Sequence, residues 1–217
     1  MTTKYKTESF LCPCCGKEFE CKIVTMITHE GQDSDFLPHF VGGNPLPFYL
    51  AKCSNCNFVG YPEDYTKENL VNTQITTSQI KKILNLPLAK KIPNEAIDFF
   101  IAGKIYEELK RNPYFTGNLY LRGAWCCRLI DNRKAEIELQ QLAIRFFKVA
   151  VEKSTISNPD TVSVVTYLIG ELYRRLEDRK SAREWFEATV ESIIDPEQQW
   201  LLELTQKQAE LNEYLIN

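Results

Sequence analysis

The sequence predicts a mainly α-helical protein with a small β-containing, zinc-ribbon-like module at its front. Three observations carry this. Six of the eight cysteines fall in the first 56 residues, four of them as two C-x-x-C pairs. From Asn94 onward apolar residues recur at spacings of three and four, the period of an amphipathic helix. Small and aromatic residues within one helix pair stand at the places typical of tetratricopeptide repeats. The division expected is a module over 1–62, a connector over 63–93 and a tetratricopeptide-like helical domain over 94–217.

In the module, Phe19 to Thr28 and Phe48 to Lys52 lean towards strands. The string Val41 to Pro47 stacks Gly and Pro breakers and cannot be a helix interior. The connector carries one short helix near Ser78 to Leu84, closed by Pro87 and Pro93. Six helices follow, at about 94–111, 117–131, 135–153, 160–177, 179–194 and 197–215. Asn94-Glu95 and Asn158-Pro159-Asp160 read as helix starts. The connections are short, so successive helices should pack antiparallel.

The clearest repeat signal runs from Ser163. Gly170, Tyr173, Ala182 and Phe186 stand at its eighth, eleventh, twentieth and twenty-fourth places. Small residues there let two helices approach, and aromatics fill the gaps between turns. Phe99, Gly103 and Tyr106 echo the pattern. So do Tyr120, Ala124 and Cys127, with Ala143, Phe147 and Ala150 on the next helix if the loop is longer than usual. Such helices stack into a curved array whose inner face binds other proteins. If the array forms, phase places Phe100, Lys104 and Glu107 on that face, then Leu121, Trp125 and Arg128, then Tyr167, Glu171 and Arg174. Solvated charge beside the core is an equal reading, and Trp125 and Tyr167 are equally placed as buried residues. Whether the helix at 197–215 blocks this groove is left open.

Cys12 and Cys15 bracket two residues in CPCCG, and Cys53 and Cys56 bracket two in CSNC. Each pair forms a knuckle that points two thiolates at one metal. Two knuckles make the closed four-sulfur shell of a structural zinc, although thiolates also suit iron–sulfur chemistry. The 37 residues between Cys15 and Cys53 exceed the roughly 15–20 of a compact ribbon. Asn57 stands where a left-handed turn is needed, and Asn tolerates that conformation best after Gly. Cys14 is an alternative to Cys15 in the same knuckle. Cys21, Cys126 and Cys127 read as packing residues, and His29 and His39 lack knuckle spacing.

Composition narrows the function. The 217 residues are 44% hydrophobic and 25% charged, ordinary for a globular protein and outside the disordered range. The net charge is −3, and residues 1–60 hold five Lys against six acidic residues, so nucleic acid is not the expected partner. No apolar run reaches membrane-spanning length, and the N-terminus lacks a secretory pattern. A cytoplasmic protein with reduced or metal-bound cysteines is therefore expected. With two histidines, no nucleophile–His–acid set is readable, and no phosphate-binding glycine loop is present.

The segments CPCCGKEF, NPLPFYLAKCSNC, LYLRGAW and YLIGELYRRLED together resemble the bacterial domain-of-unknown-function 2225 family, over about residues 9 to 195. The resemblance implies a zinc-ribbon-type segment joined to tetratricopeptide-like helices, with Cys12, Cys15, Cys53 and Cys56 as the metal cysteines. The family's second knuckle usually reads CGYA, where this chain has Cys56-Asn57-Phe58-Val59. The family brings no reaction. The expectation is a non-catalytic, zinc-binding scaffold or adaptor whose groove takes a peptide or protein. A nucleic-acid-associated ribbon and a thiol redox switch are the alternatives.

Overall fold

The computed structural model describes residues 3–66 and 74–214. The first two residues of the expected module, the middle of the connector and the last residue of the helix expected at 197–215 lie outside that range.

The front of the chain is built from three antiparallel hairpins. Strand β1 (Lys4–Leu11) pairs with β2 (Glu18–Met26), β3 (His29–Gln32) with β4 (Pro38–Phe40), and β5 (Ala51–Lys52) with β6 (Val59–Gly60). The first and third hairpins each turn through a C-x-x-C knuckle. Strand β2 matches the first strand-like run. The second run is strand only at Ala51–Lys52, because Leu46–Phe48 forms one 3-10 turn with Pro47 in its first turn. Strand β1 was not singled out by pattern; its alternation is weak, with Phe10 as its one buried residue.

Seven helices follow among the described residues: α1 (Thr77–Leu84), α2 (Asn94–Glu108), α3 (Pro113–Arg128), α4 (Arg133–Glu152), α5 (Pro159–Arg175), α6 (Arg179–Ser192) and α7 (Gln199–Tyr214). Helix α3 starts four residues before the expected 117, because Asn112-Pro113 opens it as Asn158-Pro159 opens α5. In both cases the Asn side chain accepts an N–H of the first turn and Pro sits where no donor is needed.

Helices α2 to α5 stop in the same way. Lys110, Asp131, Ser154 and Glu177 each adopt a left-handed φ, between 50° and 64°. The next N–H then reaches back over the last turn: Arg111 to Tyr106 O, Asn132 to Cys127 O, Thr155 to Ala150 O and Asp178 to Tyr173 O, at 2.9–3.0 Å. This Schellman closure at similar intervals makes the array regular although none of the four residues is Gly.

Consecutive helices pack as neighbours, and glycine sets the closest approaches. A Cβ on Gly170 would lie 2.7 Å from the Phe186 ring, and one on Gly103 2.5 Å from Tyr120. The first is a pair of the expected repeat pattern, the second joins two residues read as separate echoes of it, and the packing is consistent with a tetratricopeptide-like array. The module and helices share one buried cluster running from Phe10 through Leu46 and Phe58 to Phe99, Leu121, Phe147 and Leu172. Tyr65, beyond the expected module boundary at 62, packs on Phe10, Phe19 and Phe58 and donates its hydroxyl to Ala51 O at 2.7 Å. No helix among the described residues is long and apolar enough to cross a membrane.

Candidate metal centre and the inner groove

The two knuckles have matching backbones. In the first, Gly16 N–H donates to Cys12 O at 2.9 Å and Cys12 N–H to Lys17 O at 3.0 Å. In the second, Asn57 N–H donates to Cys53 O and Cys53 N–H to Phe58 O, both at 2.9 Å. The turn needs a left-handed residue after the second cysteine, and Gly16 (φ 67°) and Asn57 (φ 61°) supply it. The role expected of Asn57 is met.

The knuckles bring Cys12, Cys15, Cys53 and Cys56 together, with all four sulfurs within 4.8 Å of one another. Across the knuckles Cys12 Sγ lies 3.5 Å from Cys56 Sγ, and Cys15 Sγ 3.7 Å from Cys53 Sγ. A tetrahedral ion with metal–sulfur bonds of about 2.3 Å has sulfur–sulfur edges of about 3.8 Å. All eight cysteines of the chain are free of disulfides. The donor set therefore fits one soft or borderline divalent ion with no open position for water.

The electrostatics agree. Burial pushes the Cys12 thiol up to about 12, although backbone N–H groups of Cys15 and Cys14 oppose it. Burial, with crowding by neighbouring thiols, also raises Cys56. Burial works against ionisation of Cys53 too, but the N–H groups of Cys56 and Asn55 outweigh it and hold that thiol below the ordinary range. A bound cation would reverse the balance at Cys12 and Cys56.

The other candidates lie outside this group. Cys14 is not among the four clustered sulfurs, although its thiol, raised by burial, borders Cys56, and Cys21 Sγ faces Lys22 O at 3.7 Å. His29 bonds Gly31 O, and His39 bonds Asp33. Cys126 and Cys127 are fully buried, and burial raises both thiols, Cys127 to about 12. Buried protonated thiols are poor nucleophiles, which works against a redox role for that pair.

The inner-face candidates divide into two sets. Phe100 is core, while Lys104 pairs with Glu107 at 2.8 Å. Glu107 also accepts from the Tyr120 hydroxyl and pairs with Arg145. With Gln79, Lys82 and Ile83 of α1, Lys104 and Glu107 border a shallow cleft.

Leu121 is buried, and the buried Trp125, Tyr167 and Glu171 face, with Arg128, a site that the chain itself occupies. Its occupant is the β3–β4 tip, Asp33 to Phe36. Trp125 Nε1 donates to Asp35 at 3.0 Å, and Arg128 grips both Asp35 oxygens at 2.9 and 2.6 Å and Asp33 at 3.0 Å. Tyr167 donates to Ser34 O at 2.7 Å, Ser34 Oγ donates to Glu171 at 2.6 Å, and Arg175 donates to Ser34 Oγ at 3.0 Å. Arg174 stays on Glu171 at 2.7 Å. The Phe36 ring packs 5.5 Å from Tyr167 and 6.2 Å from Trp200 at the start of α7. Helix α7 thus borders the groove, and the arm tip blocks it.

Sequence reasoning missed Asp33, Ser34, Asp35, Phe36 and Arg175. The run Gly-Gln-Asp-Ser-Asp reads as a solvated turn, and nothing local shows that Asp35 is fully buried.

A family model described as "Uncharacterized protein conserved in bacteria (DUF2225)" matches residues 5–212, and the chain belongs to that family. No curated protein and no solved structure matches the chain.

Proposed function

We propose that this family member is a cytoplasmic, non-catalytic scaffold: a zinc-stapled module fixed to a helical array whose inner groove binds a protein or peptide. The closed four-sulfur donor set supports zinc in a structural role, since it leaves no coordination site for substrate. The shared core supports a scaffold in which the metal module and the groove are one unit.

The observation that carries the reading is the occupied groove. Trp125, Arg128, Tyr167 and Glu171, from helices separated along the chain, already hold a four-residue peptide segment by side-chain and backbone bonds. Aromatic and Arg anchors of this kind dominate protein interfaces. Nucleic acid is disfavoured because Glu136 and Glu171 stand among the arginines and repel a phosphate chain.

Two measurements test the proposal. Elemental analysis of purified protein should find one zinc per chain. Immobilised metal-loaded protein should recover a reproducible partner from a bacterial lysate, and Arg174→Gln should recover several-fold less. That variant keeps Arg175 on Glu171 and so keeps its fold. Recovery of no specific partner, or equal recovery by both forms, overturns the groove assignment.

A further inference from the structure

We infer that the β3–β4 arm is a built-in latch: its tip is an internal competitor for a partner that presents a carboxylate, a small hydroxyl residue, a second carboxylate and then an aromatic ring. This rests on the scaffold reading above and names the chemistry of its ligand.

The arm is held by its tip and by the residues that follow it, since Leu37 is buried in the shared core and Phe40 packs against that core. Strand β3 is exposed along its whole length and pairs only with β4. Between them Asp33 N–H bonds Leu37 O and Phe36 N–H bonds Asp33 O, both at 2.9 Å, so the tip is a self-closed turn. That turn holds Phe36 at φ 66°, a left-handed conformation that a bulky side chain rarely adopts. The docked tip is therefore strained, and its contacts compensate for that strain.

The acceptor chemistry is specific. Withdrawal of the tip takes Asp33 and Asp35 away from Arg128 and Arg175 and leaves the Trp125 N–H without its acceptor. Glu136 and Glu171 remain and balance part of the cationic charge. What is left asks for two carboxylates, one gripped by both terminal nitrogens of Arg128, and a ring for the slot between Tyr167 and Trp200. An acidic, aromatic peptide meets all of these demands.

The test uses the full metal-loaded chain and a fluorescein-labelled peptide with the sequence of Glu30 to Phe40. Asp35→Asn, which weakens the latch and leaves the groove side chains in place, should bind the peptide at least tenfold more tightly than wild type. The same peptide with both Asp residues replaced by Asn should bind neither. In wild type, saturating peptide should speed hydrogen exchange in the arm and leave α3 and α5 as protected as before. This reading needs no variant and stands even if Asp35→Asn fails to fold. Equal affinity for the two proteins, no binding to either, or binding without faster arm exchange overturns the latch. Displacement of the peptide by a single-stranded oligonucleotide would overturn it too, since the groove would then take phosphates. A lysate partner recovered equally by wild type and Asp35→Asn leaves the scaffold standing and removes the latch alone.

Discussion

Asp35 is the most informative residue to change. It is completely buried, and both of its oxygens are engaged: Oδ1 takes Arg128 Nη1 at 2.9 Å, and Oδ2 takes Arg128 Nη2 at 2.6 Å and Trp125 Nε1 at 3.0 Å. An asparagine at 35 has the same shape but turns one acceptor into an NH₂ group facing a donor, whichever way the amide is oriented. Hydrogen bonds to charged groups contribute about 1.5–3 kcal/mol against about 0.5–1.5 for neutral ones, so weakening two and opposing one costs about 3 kcal/mol. Asp35→Ala removes one side of a buried ion pair, for which about 3–5 kcal/mol is expected. If the whole loss falls on global unfolding, Asp35→Asn lowers Tm by about 6–12 °C, at about 2–4 °C per kcal/mol for a chain of this size. If the tip is released before the rest unfolds, the fall in Tm is smaller and the loss shows as faster exchange of the arm, by up to about 100-fold. Calorimetry and hydrogen exchange on the same samples separate the two routes. A variant with Tm within about 1 °C of wild type and unchanged arm exchange would falsify the account of Asp35.

Further perturbations address the metal centre and the array. Cys53→Ala, or chelation of the wild type, should abolish stoichiometric metal and the near-UV signal of the module, because zinc binding supplies roughly 10–16 kcal/mol in small zinc peptides. Helices α4 to α6 should keep their far-UV signal while α2 and α3, which share the module's core, exchange faster; full metal content in the variant would refute this. Tyr65→Phe removes a buried hydroxyl that bonds Ala51 O at 2.7 Å and should cost about 1 kcal/mol with metal content unchanged. Loss of metal, or no change in urea midpoint, would show that Tyr65 acts otherwise. Gly170→Ala gains about 1 kcal/mol of helix propensity but places a methyl 2.7 Å from Phe186 Cδ1 and 3.3 Å from its backbone nitrogen. Overpacking of about 1–3 kcal/mol should win, giving a net loss near 1 kcal/mol in denaturant titration; a more stable variant would mean the helices are not held that close.

Local patterns decided much of this protein in advance. The spacing Cys12/Cys15 and Cys53/Cys56 marked the two knuckles, because each is closed by bonds within six residues; their meeting, with Cys15 rather than Cys14 in the cluster, came from the fold. Asn57 could be recognised as the left-handed turn residue for the same reason. The helices were legible from apolar phase, and Gly170 with Phe186 from their places in one helix pair. Phase also put Trp125, Arg128, Tyr167 and Glu171 on one face, and that face meets Ser34 and Asp35.

Only the tertiary structure decided what fills that groove. Asp35 meets Arg128 across 93 residues, and Ser34 meets Glu171 across 137. Each acid is an ordinary turn residue in sequence and a buried ion-pair member in space. A charge is taken out of water only where folding brings its counter-charges to it, and no local run of residues records that meeting. The same holds for Tyr65, whose ring joins the module's core once the two hairpins are in place. The sequence determined the parts and the faces they present; chain topology determined that one part is the ligand of another.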